Sequence, residues 1–159
     1  MQQDHLEIKE VQFPNATFLP EIVKLMEEGH TVTLRLKGFS MRPFLEDRRD
    51  SVVLSPVSNT LHEGDAVLAE LTPDHYVLHR IIGIDAERIT LMGDGNLRGT
   101  EQCRKQDICG IVTRYIHPRC SFRADSRMMH WAVPLWRKLL PIRRYLLILY
   151  RIARKIRLL

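Results

Sequence analysis

The sequence predicts a mainly β protein. It would consist of coiled, antiparallel β-sheets, preceded by a short N-terminal helix and followed by a C-terminal amphipathic helical tail. Short apolar runs separated by turn-forming residues indicate antiparallel strands. After Asp125 the composition changes to apolar and basic residues with a helical period. We therefore expect an irregular N-terminal arm over residues 1–16, a β domain over 17–125 and a basic helical tail over 126–159.

The first two elements lead into a turn. Residues 18–28 are predicted to form a helix, because a proline lies in the first turn and Gly29 is a suitable C-terminal stop. Residues 31–37 alternate between apolar and polar side chains, which predicts a half-buried strand. That strand runs directly into the segment that contains Gly38 and Ser40.

Five further runs have the composition of strands. They cover residues 51–54, 65–71, 76–84, 88–92 and 108–115. Clusters of Gly, Pro, Asn and Asp separate most of them, and these residues favour turns. The chain has 159 residues, of which 45% are hydrophobic and 27% charged, as is ordinary for one folded domain with an appendage.

The tail is strongly basic and amphipathic. Residues 127–159 contain nine Lys or Arg and no acid, so residues 1–126 carry −4 of a total of +5. On a helical wheel over 142–159, the apolar face comprises Ile142, Tyr145, Leu146, Leu149, Ile152, Ala153 and Ile156. The opposite, basic face comprises Arg143, Arg144, Arg151, Arg154 and Lys155. Pro134 and Pro141 are expected to divide the region into two helices.

Three uses of residues 131–159 are considered. The first is a helix lying on a membrane surface, with the apolar face in lipid. The second is a helix that docks on the β domain, on a second copy or on a protein partner. The third is nucleic-acid binding by the basic face, which the rich apolar face makes unlikely.

The composition also predicts a compartment. The start of the chain lacks the basic and apolar segments of a signal peptide, and no run is long and apolar enough for a membrane span. Three sparse cysteines, Cys103, Cys109 and Cys120, suit a reducing environment. They lack the Cys-x2-Cys spacing of structural zinc sites even if His117 is added, so no metal or other cofactor is expected. We expect a cytoplasmic protein, or one attached peripherally to the inner face of the membrane.

Ser40 is the leading candidate for a nucleophile. It lies in a turn between Gly38, which can adopt unusual backbone angles, and Pro43, whose φ is fixed. A serine hydroxyl needs a neighbouring base, and His79 in the 76–84 strand is suited to that task. A carboxylate usually orients such a histidine. Asp94 and Glu101 are the two candidates, because both follow the His79 strand by one hairpin.

Four short motifs occur in an order that is more specific than any of them alone. They are Gly38-Phe39-Ser40-Met41-Arg42-Pro43, Glu63-Gly64-Asp65-Ala66-Val67, His79-Arg80-Ile81-Ile82-Gly83 and Gly93-Asp94-Gly95-Asn96. Over roughly residues 17–115 the chain thereby resembles the superfamily of signal peptidases and LexA-like serine peptidases. Many members have lysine at the position of His79. In having histidine there, the chain resembles the endoplasmic-reticulum and archaeal type of signal peptidase.

The resemblance implies a serine peptidase that cleaves a peptide bound in extended form. Ser40 would be the nucleophile, its backbone N–H would help to form the oxyanion hole, and His79 would be the base. The alternative is a non-catalytic or self-processing module of the same fold, docked to a membrane or protein partner through its tail. The chain departs from the family in showing neither a membrane span nor a DNA-binding domain before the serine.

Overall fold

Eight antiparallel strands and three α-helices make up the computed structural model, which describes residues 18–57 and 60–156. The strands are β1 (Val32–Arg35), β2 (Ser51–Ser55), β3 (Ala66–Thr72), β4 (His75–Asp85), β5 (Arg88–Met92), β6 (Glu101–Arg104), β7 (Ile108–His117) and β8 (Cys120–Arg123). The helices are α1 (Leu19–Glu27), α2 (Arg127–Lys138) and α3 (Arg143–Lys155). The prediction of a mainly β protein with an N-terminal helix and C-terminal helices is confirmed. The predicted arm over 1–16 lies outside the described residues.

The strands form one sheet in the order β1-β2-β7-β3-β4-β5-β6, and β8 pairs with β7. The long β7 strand joins the two halves, because its C-terminal part pairs with β2 and its N-terminal part with β3. Register shifts interrupt four of the pairings, at Val53/Leu54, Glu70/Thr72, Leu68/Ala69 and Ile81/Gly83. Such irregularities increase the local twist of a sheet.

Both faces of the sheet are covered. On β3, Ala66 and Leu68 face one apolar cluster, which includes Ile22 of α1 and Met129 of α2. Val67 and Ala69 alternate with them and face a second cluster, which also contains Ile81, Leu91 and Cys103. The period of two along a strand therefore separates two cores, and this explains why β3 is apolar on both sides.

Two strands were not expected from the sequence. β6 and β8 are short and mostly polar, and Cys103 is the only residue of the two that is buried. Their pairing with β5 and β7 holds them in place rather than any apolar alternation of their own. A sequence pattern that depends on buried side chains is therefore silent about them.

The helical tail is divided at only one of the two prolines that were expected to divide it. Pro141 lies in the 3-10 turn Leu140–Ile142 that separates α2 from α3, whereas Pro134 lies inside α2. Met129 and Val133, which precede Pro134 in α2, are buried in the first core. This packing anchors α2 to the β domain and offsets the backbone hydrogen bond that a proline inside a helix removes.

Candidate active site

Ser40 lies in a turn that several local contacts hold. Gly38 has a φ of +109°, in the region that favours glycine, and its N–H donates a hydrogen bond to Oδ1 of Asp47 at 2.7 Å. The Arg42 guanidinium lies 4.1 Å from the centre of the Phe39 ring. Met41, directly after the serine, is buried in the first core. The half-buried Ser40 is thus supported on both sides.

Two glycines after β5 allow this turn to approach the sheet. A Cβ atom on Gly93 would lie 2.5 Å from the Ser40 carbonyl oxygen and 3.0 Å from the Ser40 Cβ. A Cβ on Gly95 would lie 2.7 Å from the Phe39 carbonyl oxygen, and the Gly95 N–H donates to the Ser40 carbonyl at 2.7 Å. The serine turn therefore rests on the backbone of the Gly-Asp-Gly-Asn motif, which we call its seat. A side chain at either glycine of this motif would displace the serine turn.

His79 lies on β4 in contact with a carboxylate. Its Nδ1 is 2.9 Å from Oε2 of Glu101, and its side chain is almost fully buried while that of Glu101 is partly exposed. An ionised carboxylate only accepts hydrogen bonds, so a contact with Glu101 would be donated by the Nδ1–H of His79. That tautomer would leave Nε2 as the nitrogen able to accept a proton.

The register of the sheet explains this contact. Ile81 pairs with Leu91, and Leu91 pairs with Glu101, so these side chains point to the same face. His79 lies two residues before Ile81 and shares that face. Extending the Arg80–Met92 pairing by one step places Gly93 opposite His79. The space that a Gly93 side chain would occupy is taken by the carbonyl oxygen and Cβ of Ser40.

Asp94 has a different partner. It forms a buried ion pair with Arg80, whose Nε and Nη2 donate to the Asp94 carboxylate at 2.8 and 2.6 Å. Arg80 also donates to the Gly64 carbonyl at 2.7 Å. Burial by itself would lower the pKa of Arg80, but the charge and hydrogen bonds of Asp94 outweigh it and raise that pKa, so the guanidinium stays charged. The pair connects three of the four sequence motifs.

The predicted site residues thus fall into two groups. Glu101 contacts His79, and Ser40 is seated on Gly93, whereas Asp94 binds Arg80 on the other face of β4. Sequence reasoning did not assign a role to Arg80. A charged residue in a strand of otherwise apolar character was the available signal, because a buried charge requires a partner.

A second buried acid, Glu46, was also missed. Its carboxylate accepts hydrogen bonds from Arg42 and Tyr150 and forms an ion pair with Arg154. Burial raises the pKa of Glu46 and is the largest influence, but the hydrogen bonds from Arg42, Arg154 and Tyr150 together hold it below its usual value. Two residues of α3 therefore bind the segment that carries Ser40.

The tail also contacts the Gly-Asp-Gly-Asn turn. The Trp136 indole N–H donates to the Asp94 carbonyl at 2.8 Å, and Arg143 donates to the carbonyl groups of Asn96 and Trp136, both at 3.0 Å. The junction between α2 and α3 is thus attached to the turn on which Ser40 rests. These residues contact the turn that supports Ser40 and so help to position it.

The three cysteines are free thiols. Cys103 is buried on β6, Cys109 is half-buried on β7 and Cys120 is exposed on β8. Across residues 18–57 and 60–156, no cluster of three or more His, Cys, Asp or Glu side chains is arranged to hold a metal ion. Among those same residues, no helix has both the length and the apolar character needed to cross a bilayer.

No protein-family model matches the chain, and no curated protein sequence matches it.

Proposed function

We propose that this protein is a serine peptidase in which Ser40, His79 and Glu101 form the catalytic group. The observation that carries the proposal is the 2.9 Å contact between His79 Nδ1 and Glu101. It is supported by the close approach of the Ser40 turn to Gly93, which follows the strand next to that of His79. A histidine oriented by a carboxylate beside a rigidly held serine is the arrangement that serine hydrolases use.

In the proposed reaction Ser40 Oγ attacks the carbonyl carbon of a peptide bond, and His79 Nε2 accepts the hydroxyl proton. Glu101 stabilises the imidazolium that forms at this step. The Ser40 N–H contributes a donor to the oxyanion of the tetrahedral intermediate. His79 then delivers the proton to the leaving amine, and a water molecule releases the acyl group from Ser40 by the same steps.

The fold we propose is that of the signal peptidase and LexA-like superfamily. Two of the motifs that carry the resemblance meet at the candidate site, since the Gly38–Pro43 turn rests on the Gly93–Asn96 turn. Asp94 takes the role of a structural partner for Arg80 in this proposal, and Glu101 the role of the orienting acid.

The substrate we infer is a peptide in extended form. β6, which carries Glu101, ends the order of the sheet, so a peptide is able to add beside it as a further strand. Phe39 and Leu97 adjoin the serine turn and its seat, and 57% and 42% of their surfaces are exposed. These two side chains offer apolar contacts for substrate residues near the cleaved bond.

The proposal is tested with a fluorophosphonate probe, which phosphonylates activated serines with loss of fluoride. We expect the wild-type chain to be labelled at Ser40, Ser40→Ala to be unlabelled, and the exposed-strand control Ser121→Ala to be labelled like wild type. Incubation with a mixture of peptides, followed by mass spectrometry, identifies cleavage. Removing such a nucleophile lowers kcat by about 10⁶-fold in a well-studied serine protease.

The same experiment separates the alternatives. If wild type and Ser40→Ala are equally unlabelled and neither cleaves peptides, the catalytic proposal is wrong and a peptide-binding module of the same fold is favoured. Self-processing would instead appear as a shortened chain in purified wild type that is absent from Ser40→Ala.

A further inference from the structure

The last helix, α3, docks on the β domain with its polar side. Arg143, of which 3% is exposed, and Tyr150 and Arg154 face the domain, where the latter two bind Glu46. The apolar face points to solvent instead. Together with Ile148, its exposed members Ile142, Tyr145, Leu149, Ile152 and Ile156 form what we call the outer stripe.

The outer stripe is long and nearly continuous. It spans Ile142 to Ile156, which corresponds to about 21 Å along a helix. On α2, Trp131 and Leu135 lie one turn apart and are also exposed, at 79% and 58%. An exposed apolar surface of this length on a folded domain marks a site that another surface covers.

Cations border the outer stripe on one side. Arg144, Arg151 and Lys155 are exposed and lie roughly 80–120° around the helix from the centre of the stripe. Within the described part of the tail, residues 127–156, there is no Asp or Glu to neutralise them. Long basic side chains at this angle reach toward charged groups above a buried apolar face.

We propose that the outer stripe binds the surface of a bilayer that contains anionic lipids. The apolar side chains would enter the boundary between headgroups and acyl chains, and Arg144, Arg151 and Lys155 would contact lipid phosphates. The charge of the helix is what identifies the occupant. A second copy of this chain would bring the same cations against each other, whereas an anionic bilayer is complementary to them.

Glu46 determines which side of α3 faces outward. By binding Arg154 and Tyr150 it holds the helix with two of its polar side chains inward, so the outer stripe is presented rather than buried. Because Glu46 belongs to the segment that follows Ser40, bilayer binding would place the Ser40 turn at a defined position relative to the lipid surface. The bilayer proposal does not depend on whether Ser40 is catalytic.

The test is co-sedimentation of the full chain with vesicles. One set contains phosphatidylcholine alone, and the other contains phosphatidylcholine mixed with phosphatidylglycerol. We expect wild type and Ser40→Ala to bind the mixed vesicles equally and to be released by added salt. Leu149→Gln/Ile152→Gln removes apolar side chains that are already exposed, and we expect it to abolish sedimentation while the thermal unfolding midpoint stays unchanged.

A charge variant and a matched control complete the test. Each basic side chain near an anionic surface contributes about fivefold in binding, so Arg144→Gln/Arg151→Gln/Lys155→Gln should weaken partitioning on the order of 100-fold. The control Arg35→Gln/Arg88→Gln/Lys105→Gln removes three exposed cations from the β domain and should bind like wild type.

Three outcomes would overturn the proposal. Wild type that fails to sediment with mixed vesicles would do so directly. Equal loss of binding in the control would show that net charge rather than this surface is responsible. A wild-type dimer in light scattering that becomes a monomer in Leu149→Gln/Ile152→Gln would assign the outer stripe to a second copy.

Discussion

The Tyr150 hydroxyl donates a hydrogen bond to Oε2 of Glu46 at 2.9 Å, although 104 residues separate them in the chain. Glu46 is almost fully buried, and it also binds Arg42, two residues after Ser40. The C-terminal helix is therefore fastened to the segment that carries the candidate nucleophile. The tail differs from the β domain in composition, but its contacts hold the segment that carries the candidate site in place.

The two acids of the site should differ in what they support. Glu101→Gln keeps the shape of the side chain but loses the charge that stabilises a protonated His79, and we expect kcat/KM to fall by about 10³–10⁴-fold. Its free energy of unfolding should change by less than about 1 kcal/mol, because Glu101 is partly exposed. Peptide cleavage and urea unfolding measure the two effects.

Asp94→Asn is the matched control for that variant. It leaves the Arg80 guanidinium charged and buried without a full partner, so we expect a loss of about 3–5 kcal/mol in the free energy of unfolding. If Asp94→Asn were as stable as wild type and as inactive as Glu101→Gln, the assignment of the two acids would be reversed.

Replacement of Gly93 should displace the serine turn. A Cβ at this position would approach the Ser40 carbonyl oxygen to 2.5 Å, and neither atom can rotate away, because the backbone fixes the position of both. We expect Gly93→Ala to lose fluorophosphonate labelling and about 1–3 kcal/mol of stability. Gly83→Ala is the control, because its Cβ would meet only Thr90 at 3.9 Å. Normal labelling of Gly93→Ala would contradict the seat described above.

The Glu46 network should make stability depend on acidity. The pKa of Glu46 is lower in the folded state than its usual value, so the folded state binds fewer protons and is favoured above that value. This contribution is present above about pH 4.5 and is lost as the pH falls through the folded pKa. Urea unfolding at several pH values measures it.

Glu46→Gln isolates that effect. We expect it to lower the free energy of unfolding by about 1–3 kcal/mol at neutral pH, with the difference from wild type shrinking in acid. Tyr150→Phe removes one hydrogen bond, should cost about 0.5–1.5 kcal/mol, and leaves the carboxylate in place. A difference between wild type and Glu46→Gln that stayed constant down to the acid limit would argue against this assignment.

The three cysteines should react at different rates. Burial, as the largest influence, raises the pKa of both Cys103 and Cys109 to about 11, so few thiolates are present at pH 8. Cys120 is exposed on β8. We expect iodoacetamide to modify Cys120 first and the other two more than tenfold more slowly, as followed by mass spectrometry of digested protein. Uniform modification in the folded state would contradict this order.

Local patterns were enough to predict most of the sheet. β5 begins and ends where its apolar alternation does, and the other predicted strands agree to within two residues at each end. α1 likewise follows from its proline and Gly29. These features depend on neighbours in the chain, so periodicity and turn chemistry are sufficient to locate them. β6 and β8 were not predicted, because strand pairing and not side-chain burial holds them in the sheet.

The sequence could not show which acid is the partner of His79. Asp94 and Glu101 both come after the His79 strand in the chain, and their spacing alone does not distinguish them. The pleat of β4 decides, because Arg80 points to the opposite face and binds Asp94, which leaves Glu101 on the face of His79.

The orientation of α3 shows the same division. A mainly β domain, a serine turn, a histidine strand and an amphipathic helix can be predicted from local patterns, since each follows from residues near one another in the chain. The inward orientation of Arg154 and Tyr150 and the exposure of Leu149 and Ile152 follow from contacts between distant segments. The reason is the buried carboxylate of Glu46, which requires partners more strongly than the apolar face requires cover.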